Sequence, residues 1–118
     1  MTPDELKHRT RTFAIEVIKL AKSLPSDFVT AHIARQLMRC GTSVGANYRS
    51  SCRAKSEADF ISKMSTVEEK ADETGYWLEV LIETSAVSVK AVAAVMSEAE
   101  QLVRIGVASI RTARGRGR

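Results

Sequence analysis

Two groups of residues have the types and spacing that catalysis uses. Gly41-Thr42-Ser43-Val44-Gly45 has the Gly-x-Ser-x-Gly form of a nucleophile elbow. That motif puts its serine on a strand-to-helix turn and takes a histidine from later in the chain. Both histidines, His8 and His32, precede Ser43, and no alternating pattern leads into it, so small-residue packing accounts better for the motif. Glu69, Asp72 and Glu73 bring three carboxylates near one helical face. Di-metal sites in helix bundles add a Glu-x-x-His motif on each of two helices, and the sequence does not contain that pair. No catalytic residue, metal or cofactor is expected.

Two further groups suit binding and packing. Read as helix, Ile33, Leu37, Cys40 and Val44 form an apolar line at steps of three and four. A polar line runs beside it through Gln36, Arg39, Ser43 and Asn47. Such groups need partners, because a buried unsatisfied polar group costs roughly 1–3 kcal/mol. The stretch Glu69–Leu81 is the expected partner, with Arg39 and Gln36 meeting Glu73 across the bundle as a structural ion pair. Gly41, Ser43, Gly45 and Ala46 thin the helix enough for another backbone to come near. At the end of the chain, Arg111, Arg114, Arg116 and Arg118 are spaced mostly by glycine and can reach phosphates without a folded scaffold. A solubilising tail is the plainer reading of the same residues.

Four helices must position these groups. Thr2-Pro3-Asp4-Glu5 is a helix start with a capping box. The stripe Leu6, Phe13, Val17, Leu20 and Leu24 follows, and Pro25 ends the helix. Lys7, Arg9, Arg11, Lys19 and Lys22 fall mostly off the stripe, as a solvated face does. Ser26 or Asp27 caps a second helix that runs to about Cys52. Ser56 caps a third, with Asp59 in place of the usual Glu. Its seam is heptad-like: Phe60, Met64, Val67, Ala71, Thr74, Leu78 and Leu81. After a short loop at 85–88, Val92, Val95, Met96, Ala99, Leu102, Val103 and Ile110 point a fourth helix inward. The spacing predicts an all-α, antiparallel up-down-up-down four-helix bundle over residues 1–112, then a disordered basic tail over residues 113–118.

Charge is segregated along this plan. The 118 residues carry a formal +4, but the last fifteen hold five arginines and no acid, so the rest sums to −1. Arg35–Lys55 has five basic residues and no acid, whereas Glu57–Glu83 has eight acids against two lysines. Surfaces of opposite sign can pair within one chain or between subunits. Cys40 and Cys52 stand about 18 Å apart along one helix, beyond disulfide reach, which suits a reducing compartment. The first residues lack the parts of a signal peptide, and no apolar run is long enough to span a membrane. A cytoplasmic location is expected.

Gln36-Leu37-x-Arg39-x-x-x-Ser43-Val44-x-Ala46-Asn47, then Asp59-Phe60, then Glu73-Thr74-x-x-Trp77-Leu78, resembles the four-helix bundle family of the 23S rRNA intervening-sequence proteins. The likeness runs from about Phe13 to Ala113, and includes Ser109-Ile110-Arg111-Thr112 in the closing helix. It implies a small bacterial protein that assembles as a ring-like homopentamer, in a family whose members mostly have no assigned biochemical function. It also implies a distant kinship with the accessory variability protein of diversity-generating retroelements, which works with a reverse transcriptase and binds nucleic acid. The sequence departs from the family pattern after Asn47-Tyr48-Arg49, where Ser50 replaces a common glutamate.

Two functional classes follow. One is a non-enzymatic, homo-oligomeric scaffold that binds nucleic acid or a nucleic-acid enzyme. The other is a small-ligand binder or enzyme built on the Arg39, Ser43, Asn47 and Glu73 cluster.

Overall fold

The computed structural model describes residues 1–116. It consists of four helices: α1 (Pro3–Ser23), α2 (Phe28–Ser51), α3 (Glu57–Glu83) and α4 (Val89–Arg116). No strand occurs among the described residues. Each helix begins where side-chain chemistry favours it. Thr2, Asp27, Ser56 and Ser88 each accept a hydrogen bond from the backbone N–H three residues on, at 2.9–3.1 Å. These bonds satisfy donors that a helix start leaves free. Asp59 reaches back to the backbone N–H of Lys55 at 3.0 Å, one residue earlier than in a standard capping box.

Successive helices run antiparallel and pack in chain order, α1 on α2, α2 on α3 and α3 on α4, while α1 and α4 meet sparsely. The result is an elongated bundle of 50 × 22 × 20 Å. Its core follows the expected stripes. Leu6, Phe13 and Val17 meet Ile33, Leu37, Cys40 and Val44, and Met64, Val67, Ala71, Leu78 and Leu81 fill the centre. Val92, Ala99, Leu102 and Ile110 close it from α4. Phe60, Val95, Met96 and Val103 are only partly buried against this core.

Close helix approach occurs at the expected glycines, but toward a different neighbour. A Cβ on Gly41 would stand 2.7 Å from Val17 Cγ1, and one on Gly45 would stand 3.1 Å from Thr10 Oγ1. Both glycines therefore seat α1, whereas the sequence reading pairs that stretch with α3. The α3 side of α2 is the Cys40 side, where Thr74 Oγ1 lies 3.3 Å from Cys40 Sγ.

The chain end also differs from expectation. The sequence reading stops the bundle at 112 and makes residues 113–118 a disordered tail, yet α4 continues to Arg116. Ala113 is buried, which gives this last turn a packing anchor. Gly117 and Arg118 lie outside the described residues.

Candidate functional site

The polar line of α2 does not form a cluster with α3. Ser43 Oγ donates to the carbonyl of Arg39 at 2.6 Å, and Asn47 Nδ2 donates to the carbonyl of Ser43 at 2.8 Å. Both side chains are thus spent on their own helix. Gln36 is half-buried and Arg39 is exposed. Arg39 makes no ion pair among the described residues, and Lys70 Nζ holds the Glu73 carboxylate at 3.2 Å. The expected Arg39–Glu73 bridge is therefore not formed. An exposed arginine gains little from such a bridge and loses rotamer freedom by making it.

The polar contact between α2 and α3 is instead Cys40 with Thr74, both almost fully buried. Cys40 Sγ donates to the carbonyl of Leu37 at 3.4 Å, and Thr74 Oγ1 donates to the carbonyl of Lys70 at 2.7 Å. Burial pushes the Cys40 thiol pKa up, and the Glu73 charge adds to that, although the Thr74 bond works against it. Thiolate chemistry is suppressed there. Trp77 Nε1 is buried without a hydrogen-bond partner.

Nor do the carboxylates gather into a metal site. Glu69 and Asp72 are exposed, and no group of three potential ligands forms among the described residues.

At the end where α1 begins and α2 and α4 finish, a cleft of about 830 Å³ opens between α1 and α4. Leu6, Tyr48, Phe60, Ile105 and Ala113 make it largely apolar. Desolvation, then the neighbouring Cys52, raises the Tyr48 phenol well above its usual range. Tyr48 is therefore neutral at any physiological pH and unsuited to act as a base.

The exposed basic residues follow a pattern along α2 and at the end of α4. No acid occurs between Phe28 and Ser51 in α2. Arg35, Arg39 and Arg49 on this helix, and Arg53 just beyond it, are all exposed. Spacings of four, ten and four keep these arginines on one side of an α-helix. Arg111, Arg114 and Arg116 are exposed on the last turns of α4, at the same end of the bundle as Arg49 and Arg53. The helix thus displays three of the tail arginines on a rigid support, and Arg118 lies outside the described residues.

One interhelical ion pair escaped the sequence reading, which placed Arg9 on a solvated face. Arg9 Nε and Nη2 donate to the two carboxylate oxygens of Glu98 at 2.6 and 2.7 Å, and Nη2 also donates to Gln101 Oε1 at 2.7 Å. The Glu98 hydrogen bond raises the pKa of the guanidinium further.

Fold and surface together define an all-α bundle of four helices with exposed arginines along one side of α2. The chain is a member of the 23S rRNA-intervening sequence protein family, whose model matches residues 5–107. It is also similar to a solved structure from Bacteroides thetaiotaomicron VPI-5482, a protein with unknown function from the S23 ribosomal protein family. The two share 32% identity over 94% of this chain and 99% of that one, with a TM-score of 0.85. No functionally curated protein matches the sequence. Membership fixes the fold and the kinship, and both descriptions leave activity open.

Proposed function

We propose that this protein is a non-enzymatic, homo-oligomeric scaffold that binds nucleic acid, or a nucleic-acid enzyme, through its basic surface. The observation that carries this reading is the acid-free α2 with its exposed arginines on one side. Such a face suits phosphate attraction, which sets register and affinity but reads no sequence. Arg111, Arg114 and Arg116 extend the same basic end. The family resemblance supports a homopentameric ring. Exposed Phe28, Val29, Tyr76 and Val89 support self-association by leaving apolar surface on the single chain. A ring would repeat the basic face and multiply weak contacts. No helix among the described residues is long and apolar enough to cross a membrane, and two free thiols suit a reducing cytoplasm.

Fluorescence anisotropy with labelled oligonucleotides tests the binding. Affinity should fall steeply with salt as counterions are released, and unrelated sequences of equal length should bind alike. Replacing Arg111, Arg114 and Arg116 by glutamine should weaken binding while leaving helicity intact. Charge replacement is the better test here, because truncation after Ile110 would also remove the buried Ala113. Sedimentation should give a mass several times 12.9 kDa. A monomer at micromolar concentration would overturn the scaffold.

A further inference from the structure

Along the seam of α1 and α2, two depressions of about 560 and 220 Å³ share Lys7, Ala46 and Arg49 and so form one trough. Its charged lining is entirely basic: Lys7 and Arg11 from α1, Arg49 and Arg53 from the α2 side, and Lys63 from α3. Lys63 is neutralised in part by Asp59 at 3.0 Å. Lys7, Arg11, Arg49 and Arg53 have no carboxylate partner among the described residues. Arg11 has only a contact of 3.4 Å with His8 Nδ1.

The trough is open because its floor is small. Gly45 lets α1 come within contact of α2, and Ala46 and Ser50 leave the space above them empty. Long cationic side chains then stand as walls over a low floor. Lys7 and Arg11 are four residues apart on α1, about 6 Å along its axis, and Arg49 and Arg53 face them from the last turn of α2 and the turn just beyond it. Gathering like charges in a concave site is unfavourable without an anion, and the concavity focuses their field.

We propose that this trough is a phosphate site, which seats consecutive phosphodiester groups of a nucleic-acid strand between Lys7/Arg11 and Arg49/Arg53. It rests on the nucleic-acid reading for its natural ligand, though not for its oxyanion chemistry. The arginines can each offer a fork of N–H donors to one phosphate, and Lys7 a mobile point charge. The site differs from the α4 arginines in being built from two helices with a fixed separation.

Two measurements on the full chain test it. In the first, inorganic pyrophosphate is titrated at low salt while backbone amide NMR signals are followed. Shifts should concentrate at residues 7–14 and 42–53, and shifts scattered over all basic surface, or none, would overturn the site. In the second, oligonucleotide anisotropy compares wild type with Lys7→Gln/Arg49→Gln and with Lys22→Gln/Lys90→Gln, which removes equal charge at the opposite end. The trough variant should bind on the order of tenfold more weakly, with a salt slope smaller by about two. The control should stay within about twofold of wild type, and Lys7→Arg/Arg49→Lys should retain most of the affinity. Equal losses in trough and control variants would replace the site by a diffuse field. Localised pyrophosphate shifts without oligonucleotide binding would keep the anion site and overturn the nucleic-acid reading. Circular dichroism of each variant checks that the bundle is folded.

Discussion

Cys40 and Cys52 belong to the same helix but have opposite surroundings, one buried against Thr74 and the other exposed at the end of α2. A thiol reagent therefore distinguishes them. Native protein should react at one thiol, Cys52, and protein in denaturant at two, as read by absorbance of the released thiolate. Two fast equivalents under native conditions would mean that the α2–α3 seam opens readily. Trp77 offers a second residue-scale test. Its orphaned Nε1–H carries a penalty of roughly 1–3 kcal/mol, which Trp77→Phe would remove along with some packing. The two effects oppose, so stability by chemical denaturation should stay within about 1 kcal/mol of wild type, well short of the ~3–5 kcal/mol for a large aromatic truncated to Ala. At this scale the sequence is a poor guide to partners. Arg39 and Glu73 are adjacent to the true contact pair, Cys40 and Thr74, and one helical position rotates a side chain by about 100°. Composition favoured the charged pair, whereas the rotation directs Arg39 to solvent.

The helices themselves were legible, because three caps and four apolar stripes agree with one another; the fourth cap, Ser88, was found only in the structure. The third-helix seam was read almost residue for residue, since its alternating steps of four and three leave little freedom. The end of α4 was not legible. Arg-Gly repeats have low helix propensity, and only the packing of Ala113 shows why the helix persists. The α3–α4 loop lies where the sequence reading puts it, between Glu83 and Val89, but its geometry was not legible. Ser85 adopts φ 64°, a position that sequence reading assigns to glycine, and Ala86 N–H donates to the carbonyl of Leu81 at 3.0 Å in a Schellman-like stop. Ser85→Gly should therefore stabilise the protein, by up to about 1 kcal/mol from relief of the left-handed strain, as a higher denaturation midpoint. The caps make a pH prediction. Thr30 N–H bonds lower the Asp27 carboxyl pKa below 3.8, and the Lys55 N–H and the Lys63 side chain do the same for Asp59. Depressed folded values mean that both stabilise fully above the unfolded pKa and are lost as pH falls through the folded one. Thermal melts should thus drop in acid below about pH 4. Asp27→Asn, which still caps, should flatten part of that drop and leave the neutral-pH melt nearly unchanged.

For the whole molecule, the chain-order packing makes α1 the least enclosed helix, because it rests on α2 and meets α4 sparsely. Among the described residues, the side-chain hydrogen bonds between α1 and α4 are those of the Arg9 fork with Glu98 and Gln101. The Arg9 and Glu98 side chains are about a quarter exposed, at 27% and 26%. That environment is drier than the surface, where ion pairs contribute about 0.2–1 kcal/mol, yet wet enough to avoid the full desolvation penalty of a buried pair. The geometry is also favourable, since both carboxylate oxygens are engaged and Gln101 takes a further donor. A double-mutant cycle of Arg9→Met and Glu98→Gln, read by urea denaturation, should give a coupling of about 1 kcal/mol or somewhat more. The local Glu16–Lys19 pair provides the comparison: it is 3.5 Å long, mostly exposed and confined to one helix. Its coupling should be near zero. Raising the salt should shrink the Arg9–Glu98 coupling only modestly, as partly buried pairs are screened less than exposed ones. If the two cycles gave equal couplings, the fork would contribute no more than a surface pair. The attachment of α1 would then rest chiefly on its packing against α2, through the close seats at Gly41 and Gly45.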